Sequence, residues 1–270
     1  MTAKKKRTTK HVIGNILILI KKWQLASSNG VSRPFVEGVV FSNEGSKGRT
    51  PLFDASLNKT GDIFAYWKDE EKGILEISAP EPGYEIKAPK SMDCYFYKTI
   101  FCNYGTEEKF ITYLDVTHLD VSHVRRFDAC FLNFWKTRNS KVVGLEAWNV
   151  SSGEIFSRMF DGFCIYADEI VLDFSGWDVS HGQKASEMFS GFGYFSKHIE
   201  LKGIENWNVE SMAEMMFMFQ KFGVHSDCKL DLSNWKPAII DVLGTTAHIG
   251  FAANTFFKIK EPTWPKRGDE

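Results

Sequence analysis

The chain of 270 residues lacks the motifs that identify most catalytic and metal-binding proteins. It has no phosphate-binding loop, no nucleophile elbow and no HExxH pair, and no acid, base and nucleophile can be named that converge. No apolar run is long enough to span a bilayer. We therefore predict a protein that is not an enzyme and that holds no cofactor and no metal ion.

Cysteine is scarce, and its spacing excludes the usual cysteine-based sites. The 5 cysteines include no CxxC pair and are odd in number, which argues against a disulfide framework. Cys130 occupies a repeat position that Met159, Met188 and Met218 hold elsewhere, as expected of a small buried apolar side chain. This usage favours a reducing compartment.

Acidic residues are nearly absent from the start of the chain. Residues 1–60 hold 11 Lys or Arg and 3 Asp or Glu, a net charge of +8, whereas the remainder holds 22 and 31, a net charge of −9. The basic segment either docks on the acidic body or binds an anionic partner such as nucleic acid. The candidate residues for that binding are Lys4, Lys5, Lys6, Arg7, Lys10, Lys21 and Lys22.

The same segment imitates an export signal without completing one. Asn15 interrupts its apolar run, Lys21 and Lys22 follow at once, and no small-residue cleavage site comes next. We therefore favour a cytoplasmic protein, with a secreted or cell-surface protein as the alternative. Apolar spacing over Val12–Leu25 predicts a helix that caps the next domain or binds a partner or a membrane surface, although a buried strand also fits.

The chain divides into four segments. We predict a basic tail and N-terminal helix over residues 1–29, a small mostly-β cap over 30–110, repeats with a C-terminal closure over 111–260, and a tail over 261–270. The predicted strands of the cap are Phe35–Phe41, Ile63–Trp67, Ile74–Ile77, Tyr95–Phe101 and Phe110–Tyr113.

One pattern occurs five times in the second half of the chain. Its anchors stand 29, 29, 30 and 28 residues apart and are Leu119, Trp148, Trp177, Trp207 and Trp235. Eight places after the anchors come Phe127, Phe156, Ala185, Met215 and Leu243. Twelve places after them come Phe131, Phe160, Phe189, Phe219 and Ala247. A period of about 20–50 residues is typical of stacked repeats, which bury their apolar faces only against one another.

Each repeat contains a strand signal followed by a turn and a helical signal. In Leu172–Trp177 apolar and polar residues alternate, which predicts a strand with one buried face. Asp178 and Ser180 then predict a turn, and Ala185, Met188 and Phe189 have the spacing of one helical turn. We expect an α/β solenoid with parallel strands on one side and short helical segments on the other.

The repeats resemble a known family. The segments LDVTHLDVSHV, GLEAWNVSS, LDFSGWDVSHG, GIENWNVES and LDLSNW, with the later Met-Phe pairs, are similar to the BspA-like leucine-rich repeats, a bacterial surface-protein repeat with the pattern LDLSxWDTSxVxxMxxMF. The resemblance covers about Tyr113–Ala247, although these repeats are longer than the family's and the fifth lacks the Met-Phe pair. The resemblance implies a solenoid fold. Members of the family are typically adhesins that are secreted or displayed on the cell surface, and some occur on mobile elements.

Outward strand positions predict an acidic surface. Four places before the anchors stand Asp115, Gly144, Asp173, Gly203 and Asp231. Two places before the anchors stand Thr117, Glu146, Ser175, Glu205 and Ser233. The carboxylates either bind a basic surface of another protein or form a solvated face.

The leading hypothesis is therefore a non-catalytic protein-binding module that uses its strand face, for example an intracellular inhibitor of the phage or mobile-element type. The alternatives are a bacterial adhesin and a nucleic-acid-binding protein that uses its basic N-terminus.

Overall fold

The computed structural model describes residues 12–25, 35–97, 100–104, 107–134, 138, 140–237, 247–256 and 258–265. These residues form one α-helix and fourteen short strands, and two 3-10 helices span Leu145–Ala147 and Ile204–Asn206. The elements are α1 (Ile16–Leu25), β1 (Gly38–Phe41), β2 (Phe53–Asp54), β3 (Phe64–Asp69), β4 (Ile74–Ser78), β5 (Ile86–Lys87), β6 (Ile100–Tyr104), β7 (Glu107–Phe110), β8 (Tyr113–Asp115), β9 (Leu119–Asp120), β10 (Lys141–Val143), β11 (Glu169–Asp173), β12 (His198–Lys202), β13 (Leu230–Asp231) and β14 (Ile259–Lys260).

Helix α1 packs against the β-rich part of the chain. The Asn15 side chain accepts the backbone N–H of Ile18 at 3.1 Å, and this bond caps the helix. Ile16, Leu17 and Ile20 are buried in the common core. The predicted helix is thus confirmed against the strand alternative, and its apolar face is covered by protein.

A six-stranded sheet joins the segment before residue 110 to the first repeats. Its strand order is β10-β8-β1-β4-β3-β2, and β1 lies parallel to both β4 and β8. Strands β3 and β4 form the predicted antiparallel hairpin. Because β1 pairs directly with β8, backbone pairing continues across the predicted boundary between cap and repeats.

The stacking of coils begins before the first repeat. A strand was predicted over Tyr95–Phe101, but residues 93–96 form a turn and β6 begins only at Ile100. The N–H of Met92 donates to Arg126 O at 2.8 Å, and the N–H of Phe96 donates to Cys130 O at 2.8 Å. Because these groups bond to the following coil, the segment continues the turn pattern of the repeats instead of forming a strand.

The predicted helical segments of the repeats are series of β-turns. Alternate N–H groups donate to the next coil, as Phe131 does to Met159 O at 2.8 Å, while the others close turns within their own coil. The i→i−4 bonds of an α-helix therefore cannot form. Each coil also contains left-handed residues, which a right-handed helix excludes. At one equivalent position of successive coils, Ala129, Arg158, Glu187 and Phe217 have φ of 53°, 55°, 58° and 53°. We call residues 126–134, 155–164, 184–193 and 214–223 the turn ladder.

Aromatic columns fill the space between the turn ladder and the strands. The buried ring of Phe160 stacks on Phe131 at 5.4 Å and on Phe189 at 5.5 Å. The Trp anchors stack at 6.4, 6.3 and 6.2 Å from Trp148 to Trp235. Each Trp indole N–H donates to a backbone carbonyl of the preceding coil, as Trp177 does to Leu145 O at 2.8 Å. The repeated aromatic positions thus hold successive coils together.

The fifth repeat is longer than its spacing predicted. The N–H of Phe219 donates to Phe251 O at 2.7 Å, so Ala252 occupies the position assigned to Ala247. The insertion falls in the connection after Pro237, and Leu243 lies outside the described residues. Strand β14 then pairs in parallel with β13 and extends the stack.

Candidate functional site

The strands of the repeats associate in pairs. Within residues 107–134 and 140–237, β8 pairs with β10 and β11 pairs with β12, while β13 pairs with β14. Their outward side chains form a surface that we call the strand face. It includes the exposed Glu169, Val171, Asp173, Glu200 and Lys202.

Strand register corrects the predicted columns of the strand face. Asp115 lies opposite Val143, not Gly144, and Asp173 lies opposite Lys202, not Gly203. The reason is one additional residue between strand and Trp anchor in the second and fourth repeats, where a short 3-10 helix follows the left-handed glycine. Counting back from the anchors cannot detect this difference.

The predicted aspartates stabilise the turns that follow their strands. The carboxylates of Asp115, Asp173 and Asp231 accept the N–H groups of Thr117, Ser175 and Ser233 at 3.0, 2.8 and 3.0 Å. These are Asx-turns, in which a short carboxylate bonds the backbone two residues later. Hydrogen bonds from the side chain and backbone of Ser175 lower the pKa of Asp173. The first role of these carboxylates is therefore to end the strand.

The intervening glycines fit closely over these turns. Gly203 has a φ of 85°, and a Cβ atom there would lie 2.4 Å from Ser175 Cα. Gly144 approaches Thr117 in the same way, because its Cβ atom would lie 2.3 Å from the Thr117 nitrogen. Gly alternates with Asp because the backbones of successive coils approach too closely at these positions for a Cβ atom. The glutamates assigned to the same surface, Glu146 and Glu205, lie on the 3-10 helices.

The strand face is mixed in charge. Lys260 Nζ lies 2.8 Å from the Asp231 carboxylate, and hydrogen bonds from Lys260 and then from Ser233 lower the pKa of Asp231 to about 2. Lys202 is the strand neighbour of Asp173 and lowers its pKa further. Cations therefore interrupt the predicted acidic surface at two of its three aspartates.

Only two of the predicted basic N-terminal residues lie in the part of the chain that the structure describes. Lys4, Lys5, Lys6, Arg7 and Lys10 lie outside the described residues, whereas Lys21 and Lys22 are exposed on α1. Lys22 lies in the last turn of α1, where a cation is favourable for the helix dipole, which is a structural reason for its presence.

A cleft separates the first strand pair from the second. No backbone pairing joins β10 to β11 within residues 140–237, and their Cα atoms lie mostly more than 8 Å apart. The cavity between them measures about 470 Å³, and we call it the strand cleft. Phe163, Cys164 and Ile170 form its buried floor. A second cavity of about 310 Å³ lies between residues 198–201 and 227–230.

An exposed aromatic column flanks the strand cleft and was missed from the sequence. Tyr166 stacks on Phe195 at 5.3 Å, and Phe195 stacks on His225 at 5.4 Å. The three residues stand eighteen places after their Trp anchors, so the column spacing could have revealed them. Lys197 and Arg138 both lie within 4 Å of the Asp168 carboxylate beside this column, at 3.3 and 3.9 Å.

The described part of the chain contains neither a metal-binding cluster nor a helix long and apolar enough to cross a membrane. Cys94, Cys130, Cys164 and Cys228 are free thiols. Burial raises the pKa of the Cys228 thiol to about 12, as expected of an unreactive packing residue.

Comparison with known proteins gives one match. A family profile described as Mycoplasma protein of unknown function, DUF285, matches residues 96–235. This range covers the turn ladder, the Trp anchors and both walls of the strand cleft. No curated protein and no solved structure matches the chain.

Proposed function

The chain belongs to the family described as Mycoplasma protein of unknown function, DUF285, and we propose that it is a non-catalytic module that binds another protein through its strand face. The observation that carries the proposal is the array of outward side chains on β11 and β12. These strands present charged residues of both signs around Val171, which is 47 % exposed.

The support behind this array is rigid. The inward residues Ile170, Ile199 and Leu201 are buried against the aromatic columns. The outward side chains therefore project from a backbone that is already ordered, so a partner that binds them does not have to order the strands themselves. Alternating charges give such a surface specificity, because a partner must match both signs.

We also propose that the stack is a solenoid of the BspA-like leucine-rich-repeat type. The support is the overlap between the matched residues and the repeats that resemble that family. In this proposal the turn ladder takes the place of the helical segments that were expected.

The proposed setting is the cytoplasm, where the protein would inhibit a partner by occupying its surface. The buried free thiols of Cys130, Cys164 and Cys228 are suited to a reducing compartment. Fractionation of native cells tests this setting. Recovery of the chain mainly from the medium or the cell surface would favour an adhesin instead.

Site-specific photocrosslinking in native cells tests the interaction itself. A benzophenone side chain at Glu200, on the strand face, is expected to crosslink a discrete partner. The matched control is the exposed Gln183, directly before the third segment of the turn ladder, which is expected to give none. Equal crosslinking at both positions, or none at Glu200, would contradict a binding role for the strand face.

Neutralising the aspartates then tests the role of their charge. Asp115→Asn, Asp173→Asn and Asp231→Asn together keep an acceptor for each Asx-turn while removing three charges. If the partner is basic, crosslinking at Glu200 decreases and the unfolding curve stays close to that of the wild type. Unchanged crosslinking would exclude these charges from recognition.

A further inference from the structure

The strand cleft has unpaired backbone edges on both of its walls. In β11 the N–H of Phe174 donates to Lys202 O and Asp168 O accepts from residues 197 and 198, so the even-numbered peptide groups face β12. Successive peptide groups of a strand point to opposite sides. The N–H and C=O groups of Glu169, Val171 and Asp173 therefore face the cleft.

The opposite wall has the same property. Lys141 donates its N–H to Thr112 O at 2.7 Å, and Val143 O accepts from Val116 at 3.0 Å. Those odd-numbered groups face β8, which leaves the N–H and C=O of Val142 directed at the cleft. Two parallel strands thus face each other across the cleft without a hydrogen bond between them.

The width of the cleft is inconsistent with direct pairing. Hydrogen-bonded strands lie about 4.8 Å apart, and two strands with a third between them lie roughly 10 Å apart. The Cα atoms of β10 and β11 lie mostly more than 8 Å apart, and the cavity of about 470 Å³ is continuous along both edges. The opening is therefore too wide for β10 and β11 to pair directly, and its lining runs along both strand edges.

The side chains around the opening define the chemistry of its occupant. Lys141 on one wall and Glu169 on the other are exposed. The ion pairs of Arg138 and Lys197 with Asp168 beside the opening involve neither of them. The floor is apolar at Phe163 and Ile170. An occupant that matches these walls has a carboxylate opposite Lys141, a cation opposite Glu169 and an apolar side chain towards the floor.

We propose that the strand cleft binds an extended peptide segment of a partner protein, which adds as a strand to the edge of β11. The proposal rests on the proposed function, since it names how the partner of the strand face is held. Main-chain hydrogen bonds supply affinity in this mode of recognition, and the alternating side chains supply specificity. Unpaired strand edges are natural templates for such addition.

A peptide-display selection tests the proposal with a defined probe. A phage library of random nine-residue peptides is selected on the full chain, and enriched peptides are measured against Val171→Pro and Val171→Ala. Proline removes the N–H that faces the cleft, whereas alanine keeps it. We expect binding at least about tenfold weaker to V171P, and binding to V171A within about threefold of the wild type.

Hydrogen exchange on the wild-type chain gives an independent readout if V171P does not fold. An enriched peptide is expected to slow exchange at the Val142 and Val171 amides. The proposal is overturned if no peptide is enriched, if V171P binds as tightly as V171A, or if peptides protect other amides only. If crosslinking at Glu200 persists in that case, the strand face still binds a partner and only strand addition fails.

Discussion

The two sides of the repeat stack differ in how completely their backbones are paired. On the turn ladder, parallel bridges join Arg126 to Ile155, Ile155 to Lys184 and Lys184 to Glu214 without interruption. On the strand side, pairing within the described residues ends at β10, the edge of the six-stranded sheet, and resumes in the separate pairs β11-β12 and β13-β14. The same coils are thus closed along one side and open along the other.

This difference indicates which side carries stability and which side is available for binding. Hydrogen bonds of the turn ladder and the aromatic columns connect every coil to the next. The strand side can therefore leave edges unpaired without separating the coils. The predictions that follow probe this division, from the interior outwards.

The largest effect is expected in the aromatic columns. Phe160→Ala removes a fully buried ring that stacks on rings of both neighbouring coils, and we expect it to lower the free energy of unfolding by about 3–5 kcal/mol. The matched control is Phe195→Ala, which removes a ring that is 48 % exposed and should cost about 1 kcal/mol. Chemical denaturation measures both, and equal losses would contradict an interior that carries the stability.

A smaller effect is expected at Gly203, whose backbone packs closely against Ser175 of the preceding coil. Gly203→Ala places a Cβ atom 2.4 Å from Ser175 Cα in a backbone with a φ of 85°, and the strained conformation alone costs roughly 1–3 kcal/mol. Gly176→Ala is the control, because its Cβ atom would meet only Glu146 O, at 3.5 Å. Thermal unfolding should separate the two variants. A stable G203A chain would show that the coils do not need the close approach.

The Asx-turns should depend on an acceptor and not on charge. Asp173→Ala leaves the Ser175 N–H without its bond and should lower stability by about 1 kcal/mol. Asp173→Asn keeps an acceptor and should lie within a few tenths of a kcal/mol of the wild type. Denaturant titration distinguishes the two, and equal destabilisation by Asn and Ala would assign the effect to charge.

The smallest effect concerns an ion pair on the strand side. His198 Nδ1 lies 2.9 Å from the Asp227 carboxylate, and this hydrogen bond raises the pKa of His198 above its ordinary value of 6.5. Because the folded pKa is raised, the pair stabilises the fold fully below pH 6.5 while Asp227 is ionised, and it loses its contribution as the pH rises through the folded pKa of His198. NMR titration of His198 should show a midpoint above 6.5 that returns towards 6.5 in Asp227→Asn. The same midpoint in both proteins would exclude the pair as the cause.

The sequence predicted the repeat period, the buried columns and the hairpin of β3 and β4, because apolar spacing directly reflects burial. It did not predict the turn ladder, because Glu187 and Phe217 adopt left-handed conformations that are uncommon for these residue types and that the sequence does not indicate. It also misaligned Asp173 with Gly203, because one additional residue in alternate coils is invisible when positions are counted from the Trp anchors. The strand cleft results from tertiary spacing between strands, which no local pattern encodes.

Native-state hydrogen exchange at two adjacent amides tests the division between closed and open sides most directly. The Leu172 N–H faces β12 and should exchange slowly, whereas the Val171 N–H faces the strand cleft and should exchange at least about a hundredfold faster in the free protein. Similar strong protection of both amides would mean that β10 and β11 are paired, and it would contradict an open strand side.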